Sequence, residues 1–177
     1  MTSTLIRPFE SEEWEIFRDF RLAALKASPG VFSVSYEESA AFPPERWKES
    51  IKGPAHQVFG LFDGPHLIGI TAVFSQREDP TGQTALLAMS FILPSHRGRG
   101  LSRSLYDARL AWIRAQPQFR RVRVSHRASN EVSRRANQRY GFTPVEKLAT
   151  TWPDGTTEEE VFYEMSIPNQ NAANFSP

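Results

Sequence analysis

The 177-residue chain contains no cysteine. Disulfides, cysteine-ligated metals and a cysteine nucleophile are thereby excluded, and the composition suits a reducing compartment. The four histidines, at positions 56, 66, 96 and 126, show no metal-ligand spacing. No apolar run approaches the ~20 residues that cross a bilayer, and the opening residues lack an apolar core of signal-peptide length. No Gly-Lys pair occurs anywhere, which removes the Walker phosphate loop. The expectation is a cytoplasmic, metal-free protein with no membrane partner. A hydrophobic fraction of 40% and an aromatic fraction of 12% are ample for a packed core.

Lysine is missing from one long stretch. Between Arg97 and Arg139 stand twelve arginines, no lysine, and only Asp107 and Glu131 as acids, a local charge of +10. The remainder carries −9, so the net charge of +1 conceals a segregation. Such charge makes either a solvated helix face or an anion site. Arginine used alone favours phosphate, because its planar fork donates in pairs. The solvated alternative stays open for Arg109, Arg114, Arg120 and Arg134. Nucleic acid is the least favoured anion, since these arginines are spread over helices, strand and loops without alternating aromatics to stack on bases.

Residues 4–9 read as a strand and 11–30 as a helix capped by Ser11, with Trp14, Phe17, Phe20 and Ala24 on its core face. A shorter helix spans 42–53, with Pro44 at its start and Gly53 at its end. Two β-rich runs between 56 and 76 split at Asp63-Gly64, a hairpin signal. Residues 84–93 are apolar on both faces and read as a central strand. A helix over 101–116 follows, with Leu101, Leu105, Ala108 and Trp112 on one side. Then come a strand over 119–126, a capped helix over 129–142, and two strands, 143–152 and 158–167, joined by "PDG". The order predicts an α/β (α+β mixed sheet) fold, about seven strands with four helices around one sheet, in a single domain over 1–167. The polar tail, 168–177, is expected to be disordered.

Between the central strand and the next helix lies "PSHRGRGLSRSL", residues 94–105. A helix start offers free N–H groups and partial positive charge, a ready anion site. Gly98 and Gly100 allow close backbone approach; Arg97, Arg99 and Arg103 add charge; Ser102 and Ser104 add hydroxyls. A Rossmann fingerprint is incomplete, because Arg103 stands where its third glycine belongs and no acid follows about 20 positions on. What remains is Arg-x-x-Gly-x-small, set by Arg97, Gly100 and Ser102.

That loop resembles the acyl-CoA loop of the GNAT acetyltransferases. "RASNEVSRRANQRYGF" is similar to that family's fifth strand, following loop and fourth helix, with Asn130 and the closing Gly-Phe at the family's separation. The segment "RLAALKASPGVFSVSYEE", the "WPDG" hairpin and the element order also resemble members that acetylate small molecules or peptides. The resemblance implies a GNAT-like fold and acetyl transfer from acetyl-CoA to a primary amine, by direct attack in a ternary complex. It implies cofactor contacts from Ser90, Phe91 and Ile92, whose backbone would pair with the pantetheine arm, from Arg97, Gly98, Arg99, Gly100, Leu101, Ser102 and Arg103 at the phosphates, and from Asn130. Asn130 is also well placed to cap the next helix. A homodimer is common in the family.

The chain departs from the family where chemistry is expected. Many relatives carry a glutamate base five residues before the asparagine and a tyrosine acid seven residues after it; here those positions hold Ser125 and Asn137. Tyr140 reads as a core tyrosine, His126 as a partly exposed histidine, and Glu37 and Glu38 as a solvated pair. No catalytic residue is assigned. The alternative is an acyl-CoA-binding or sensing protein on the same scaffold. A site with no strong base favours an amine of low pKa: at pH 7 an α-amino group is roughly 10% neutral, a lysine-like amine under about 0.1%.

Overall fold

The structure, a computed structural model, describes residues 4–168; the tail beyond Pro168, expected to be disordered, lies outside the described residues. One mixed sheet holds β1 (Thr4–Pro8), β2 (Lys52–Gly53), β3 (His56–Asp63), β4 (His66–Ser75), β5 (Thr84–Ile92), β6 (Arg121–Arg127), β7 (Thr143–Thr151) and β8 (Thr157–Ser166). Its order is β1-β3-β4-β5-β6-β8-β7, with β2 paired to β3. Only β5 and β6 are parallel neighbours. The helices are α1 (Trp14–Ala27), α2 (Tyr36–Ala40), α3 (Pro44–Ile51), α4 (Ser102–Arg114) and α5 (Glu131–Arg139).

The mixed α/β expectation holds, with β2 and α2 as additions too short for periodicity to reveal. Helix α2 did have a local signal, a capping box. Ser35 Oγ accepts the Glu38 N–H and the Glu38 carboxylate accepts the Ser35 N–H, both at 3.1 Å. Glu37 and Glu38 are both exposed, as expected, and Glu38 also caps α2. Ser11 does not cap α1. It opens a 3-10 turn, Ser11–Glu13, where the Glu13 carboxylate accepts the Glu10 N–H (2.9 Å) and pairs with Arg7 (2.7 Å). A carboxylate held by a guanidinium makes stronger hydrogen bonds than a hydroxyl.

Two apolar layers sandwich the sheet. On one face α1 and α3 bury Phe9, Phe17, Trp47 and Ile51 against Val58, Ile70 and Phe91. Phe17 meets Trp47 edge-on at 5.6 Å. On the other face α4 buries Tyr106, Leu110 and Ile113 over Leu87, Val122, Val124 and Val161. The buried stripe of α4 is Leu105, Tyr106, Arg109, Leu110 and Ile113, whereas Ala108 and Trp112 are only half-buried. The indole of Trp112 sits beside Phe119 at 6.2 Å, at the margin of the layer.

Alternation along β6 and β8 decides which residues meet. Val122, Val124 and His126 enter the α4 layer, so Arg123, Ser125 and Arg127 point to the opposite face. On β8, Val161 and Tyr163 are buried, and Glu158, Glu160, Phe162 and Glu164 share the face of Ser125. His126 is 5% exposed, not partly exposed; its Nδ1–H donates to the Arg127 carbonyl (2.7 Å) and its ring stacks on Tyr163.

Arg127 ties together three segments around that face. Its guanidinium donates to the Gly30 carbonyl after α1 (3.1 Å), to Asp154 in the β7–β8 turn (2.7 Å), to Glu158 and to Thr156. Gly30 has φ +75°, and a Cβ there would run into the Asp154 carboxylate and come within 2.8 Å of Arg127 Nη1. Gly30→Ala should therefore cost about 1–2 kcal/mol, read as a lowered melting temperature. The Arg127 guanidinium, with Thr156, pulls the Asp154 carboxyl from 3.8 down to about 2. Because the folded value is the lower one, this tie contributes fully above about pH 4 and is lost as pH falls toward 2. Acid titration of the wild type against Asp154→Asn should show the difference closing in that window.

Candidate active site

Strands β5 and β6 pair only from Thr84↔Arg121 to Leu87↔Val124. Beyond that, β5 stays with β4 to Ile92 while β6 continues with β8 to Arg127. From Ala88 to Ile92, the edge of β5 that faces β6 has no strand partner among the described residues. The cause is a bulge. Ile70 pairs with Phe91 and Ala72 with Ala88, so Thr71 alone opposes both Met89 and Ser90. Met89 has φ +59°, a conformation that costs a non-glycine residue about 1–3 kcal/mol.

A buried arginine holds the bulge from beneath. Arg109 is 1% exposed, which corrects the solvated reading of this residue. Its Nη1 donates to Ser90 Oγ (2.9 Å) and its Nε to the Leu105 carbonyl (3.0 Å), and the guanidinium lies over the Tyr106 ring. Ser90 Oγ also bonds Thr71 Oγ1 at 2.9 Å. Burial pulls the Arg109 pKa down to about 10, still cationic at neutral pH. Its Nη2 has no partner. The Ser90 side chain is thus committed, and what the end of β5 offers a ligand is backbone. The Ile92 carbonyl is itself taken by Arg97 Nε at 2.9 Å.

The loop that follows is built to leave amides free. After a 3-10 turn, Pro94–His96, the chain passes through Gly98 (φ +75°) and Gly100 (φ +74°) into α4. Five consecutive N–H groups, Gly98 to Ser102, have no acceptor among the described residues. A Cβ on either glycine would meet nothing within 4 Å, so the two are required for the sign of φ and border open space. The side chains of Arg97, Arg99 and Arg103 stand exposed around this run. Such a concavity of amides at a helix start binds anions. It fits a pyrophosphate, and the open edge of β5 fits an amide-bearing arm; together these are the demands of acetyl-CoA.

The second part of the site comes from β6 and α5. Because β5 and β6 are parallel, the loops leaving them lie at the same end of the sheet, which brings Asn130 to the end that carries residues 90–103. Asn130 Oδ1 accepts the Ser133 N–H (3.1 Å) and caps α5. Asn137 is wholly buried, its Oδ1 accepting the Tyr106 hydroxyl at 2.5 Å while its Nδ2 has no partner. Burial holds the Tyr106 phenol above its ordinary pKa. Tyr140 is half-buried, stacked on Tyr106 at 4.3 Å, and its hydroxyl donates to the Arg103 carbonyl and Asp107, both 3.1 Å. Burial, with Asp107, pushes its pKa up to about 12, and its hydroxyl ties the end of α5 to α4.

Ser125 is the first β6 residue past the end of the β5–β6 ladder, and its Oγ donates to Glu160 Oε1 on β8 at 2.5 Å. Sequence reading located Ser125 but missed Glu160, Arg109 and Arg127. Only the pairing of β6 with β8 reveals Glu160, and that contact spans 35 residues. The even spacing of Glu158, Glu160 and Glu164 along "EEEVFYEM" was the one local hint that these carboxylates share a face. Among the described residues, no group of three or more histidines or acids could hold a metal ion, and no helix is long and apolar enough to cross a membrane.

A family model described as the acetyltransferase (GNAT) family matches residues 10–142. No curated protein sequence matches the chain. Among solved structures, a GNAT-family acetyltransferase from Streptococcus pneumoniae is similar with a TM-score of 0.79 at 15% identity, covering 93% of this chain and 100% of that one. The putative acetyltransferase yncA from Salmonella typhimurium, solved with acetyl-CoA, has a TM-score of 0.75 at 16% identity, covering 99% and 98%. Arabidopsis thaliana NAA60, solved with a bisubstrate analogue, has 0.72 at 14%, covering 95% and 100%. With the parted strands, the free amides ahead of α4 and a family match over most of its length, the chain belongs to the GNAT acetyltransferase family.

Proposed function

We propose that the protein is an N-acetyltransferase that moves the acetyl group of acetyl-CoA to a primary amine of a small molecule or peptide, by direct attack in a ternary complex. The observation that carries this reading is the run of five unpaired amides directly beyond the open edge of β5. Gly98, Arg99, Gly100, Leu101 and Ser102 would cradle the pyrophosphate with Arg97 and Arg103 beside them. Ser90, Phe91 and Ile92 would align the pantetheine arm, with Asn130 contributing from the facing loop. Bound there, acetyl-CoA supplies an activated acyl group. A backbone N–H at the bulge would face the carbonyl as charge develops on its oxygen, an effect worth about 3–4 kcal/mol in other enzymes. The face bearing Ser125, walled by the segment after α1 and by the β7–β8 turn, is left for the amine. The neighbour solved with a bisubstrate analogue accords with both substrates being held at once. The reading takes residues 1–167 as one catalytic domain, places it in the cytoplasm, and admits a homodimer.

Two measurements test it. Calorimetry should detect CoA binding that weakens with rising salt. Gly100→Val, which forces a side chain into a left-handed backbone beside the phosphates, should weaken it at least tenfold, about 1.4 kcal/mol. Unchanged affinity would remove the phosphate assignment. Thiol release from acetyl-CoA over a panel of amines should find turnover, faster at pH 7 with an α-amino acceptor than with a lysine-like one of similar size.

A further inference from the structure

Five carboxylates lie on or beside the acceptor-side face of β6, β7 and β8, and four of them are spent. Glu146 and Glu164 pair with Arg123, and Glu158 and Asp154 with Arg127. Glu160 has no cationic partner among the described residues. Its contacts are hydroxyls: Ser125 Oγ at 2.5 Å and Thr150 Oγ1 at 3.4 Å. It is only half-buried, so no neighbour's charge and no complete burial suppresses its pull on an incoming cation. Both cations on the adjacent β6 positions, Arg123 and Arg127, are turned onto other acids. Ser125 in turn stands at the mouth of the β5–β6 split, level with Ala88, the first β5 residue past the β5–β6 ladder.

We propose that Ser125 and Glu160 form a proton relay for the acceptor amine, with Ser125 touching the nitrogen and Glu160 on the adjacent strand receiving the proton. This rests on the acetyltransferase reading above and supplies the base that reading lacks. The bound ammonium gives one proton to Ser125 Oγ as Ser125 gives its own to Glu160. The neutral amine attacks the thioester carbon; the C–N bond forms and the C–S bond breaks. The second nitrogen proton goes to the departing thiolate, directly or through water, and Glu160 later returns its proton to solvent. Ser125 is thereby a catalytic residue and Glu160 a positioning and proton-accepting residue behind it. The same free carboxylate selects a cationic or neutral amine over an acidic acceptor.

Glu160→Gln preserves the shape and can still accept the hydrogen bond from Ser125, but cannot take a proton. With the best amine of the panel, kcat should fall about 100-fold with KM for acetyl-CoA unchanged, the usual range for a lost general base. The remaining rate should climb with pH more steeply than in the wild type. Adding Ser125→Glu to that variant puts a carboxylate directly beside the amine and should recover at least tenfold. A structural hydrogen bond alone would give neither the pH change nor the recovery, and melting curves confirm that each variant folds. Wild-type turnover with Glu160→Gln within twofold and an unchanged pH profile would overturn the relay and leave the acetyltransferase reading standing. A wild type that binds CoA but releases no thiol with any amine would overturn both.

Discussion

The bend in β5 at Met89 and Ser90 is the constraint on which the site depends. A straight β5 would go on pairing with β6 and close the gap that a ligand's arm needs. The bend is costly, with a non-glycine residue at φ +59°, and it survives because Ser90 is fixed from two sides, by Thr71 within the sheet and by Arg109 below. Arg109 is expensive as well. Removing a guanidinium from water without a counter-ion costs several kcal/mol. Two hydrogen bonds and the face of Tyr106 offset only part of that, and Nη2 is left with nothing. A core selected for stability alone would place an apolar residue there. Strain and an unpaired buried cation meeting at one point mark a site where function has overridden packing.

The segregation of charge in the sequence takes on a physical meaning in the sheet. The arginine-rich segment does not act as one basic patch. Arg97, Arg99 and Arg103 stand exposed around the open amides, with only Arg103 paired to an acid, Asp107, whereas Arg123 and Arg127 are matched to the acids of β7, β8 and their turn. Arg127 does the most with its charge, joining the segment after α1 to the β7–β8 turn, so both segments are referred to one guanidinium on β6. The end with the open amides is thus left cationic and the face of β6 and β8 that bears Ser125 nearly neutralised, except at Glu160.

Much of this was legible in the sequence because it is local. The Asp63-Gly64 hairpin, the doubly apolar β5, the glycine loop and the Asn130 cap each follow from a few adjacent residues, and each stands where it was expected. What escaped was set by distance or by partner. Arg109 sits at a helical position that can face water or core, and only the sheet above decides which. Leu105 is fully buried while Trp112, on the same side of α4, packs at the margin, since periodicity gives a stripe but not the width of the layer beneath it. His126 was misjudged because its burial depends on Tyr163 of a strand added late in the chain. Helix α2 was missed although Ser35 and Glu38 spelled out its cap, because five residues carry no periodic signal.

The two departures from the family's catalytic positions have different consequences. Asn137 is sealed under Tyr106, and the half-buried phenol stacked on that ring, Tyr140, has its proton engaged by the Arg103 carbonyl and Asp107. Nothing at that position delivers a proton, and little is lost, since a thiol with an ordinary pKa near 8.5 departs as thiolate tolerably well. The base cannot be dispensed with so easily, because an ammonium ion has no lone pair with which to attack. At Ser125 the strand gives up its own carboxylate but borrows one from the neighbouring strand through a 2.5 Å hydrogen bond. The asymmetry follows the chemistry: the group whose absence is tolerable has vanished into the core, and the group whose absence is not has been replaced across the sheet.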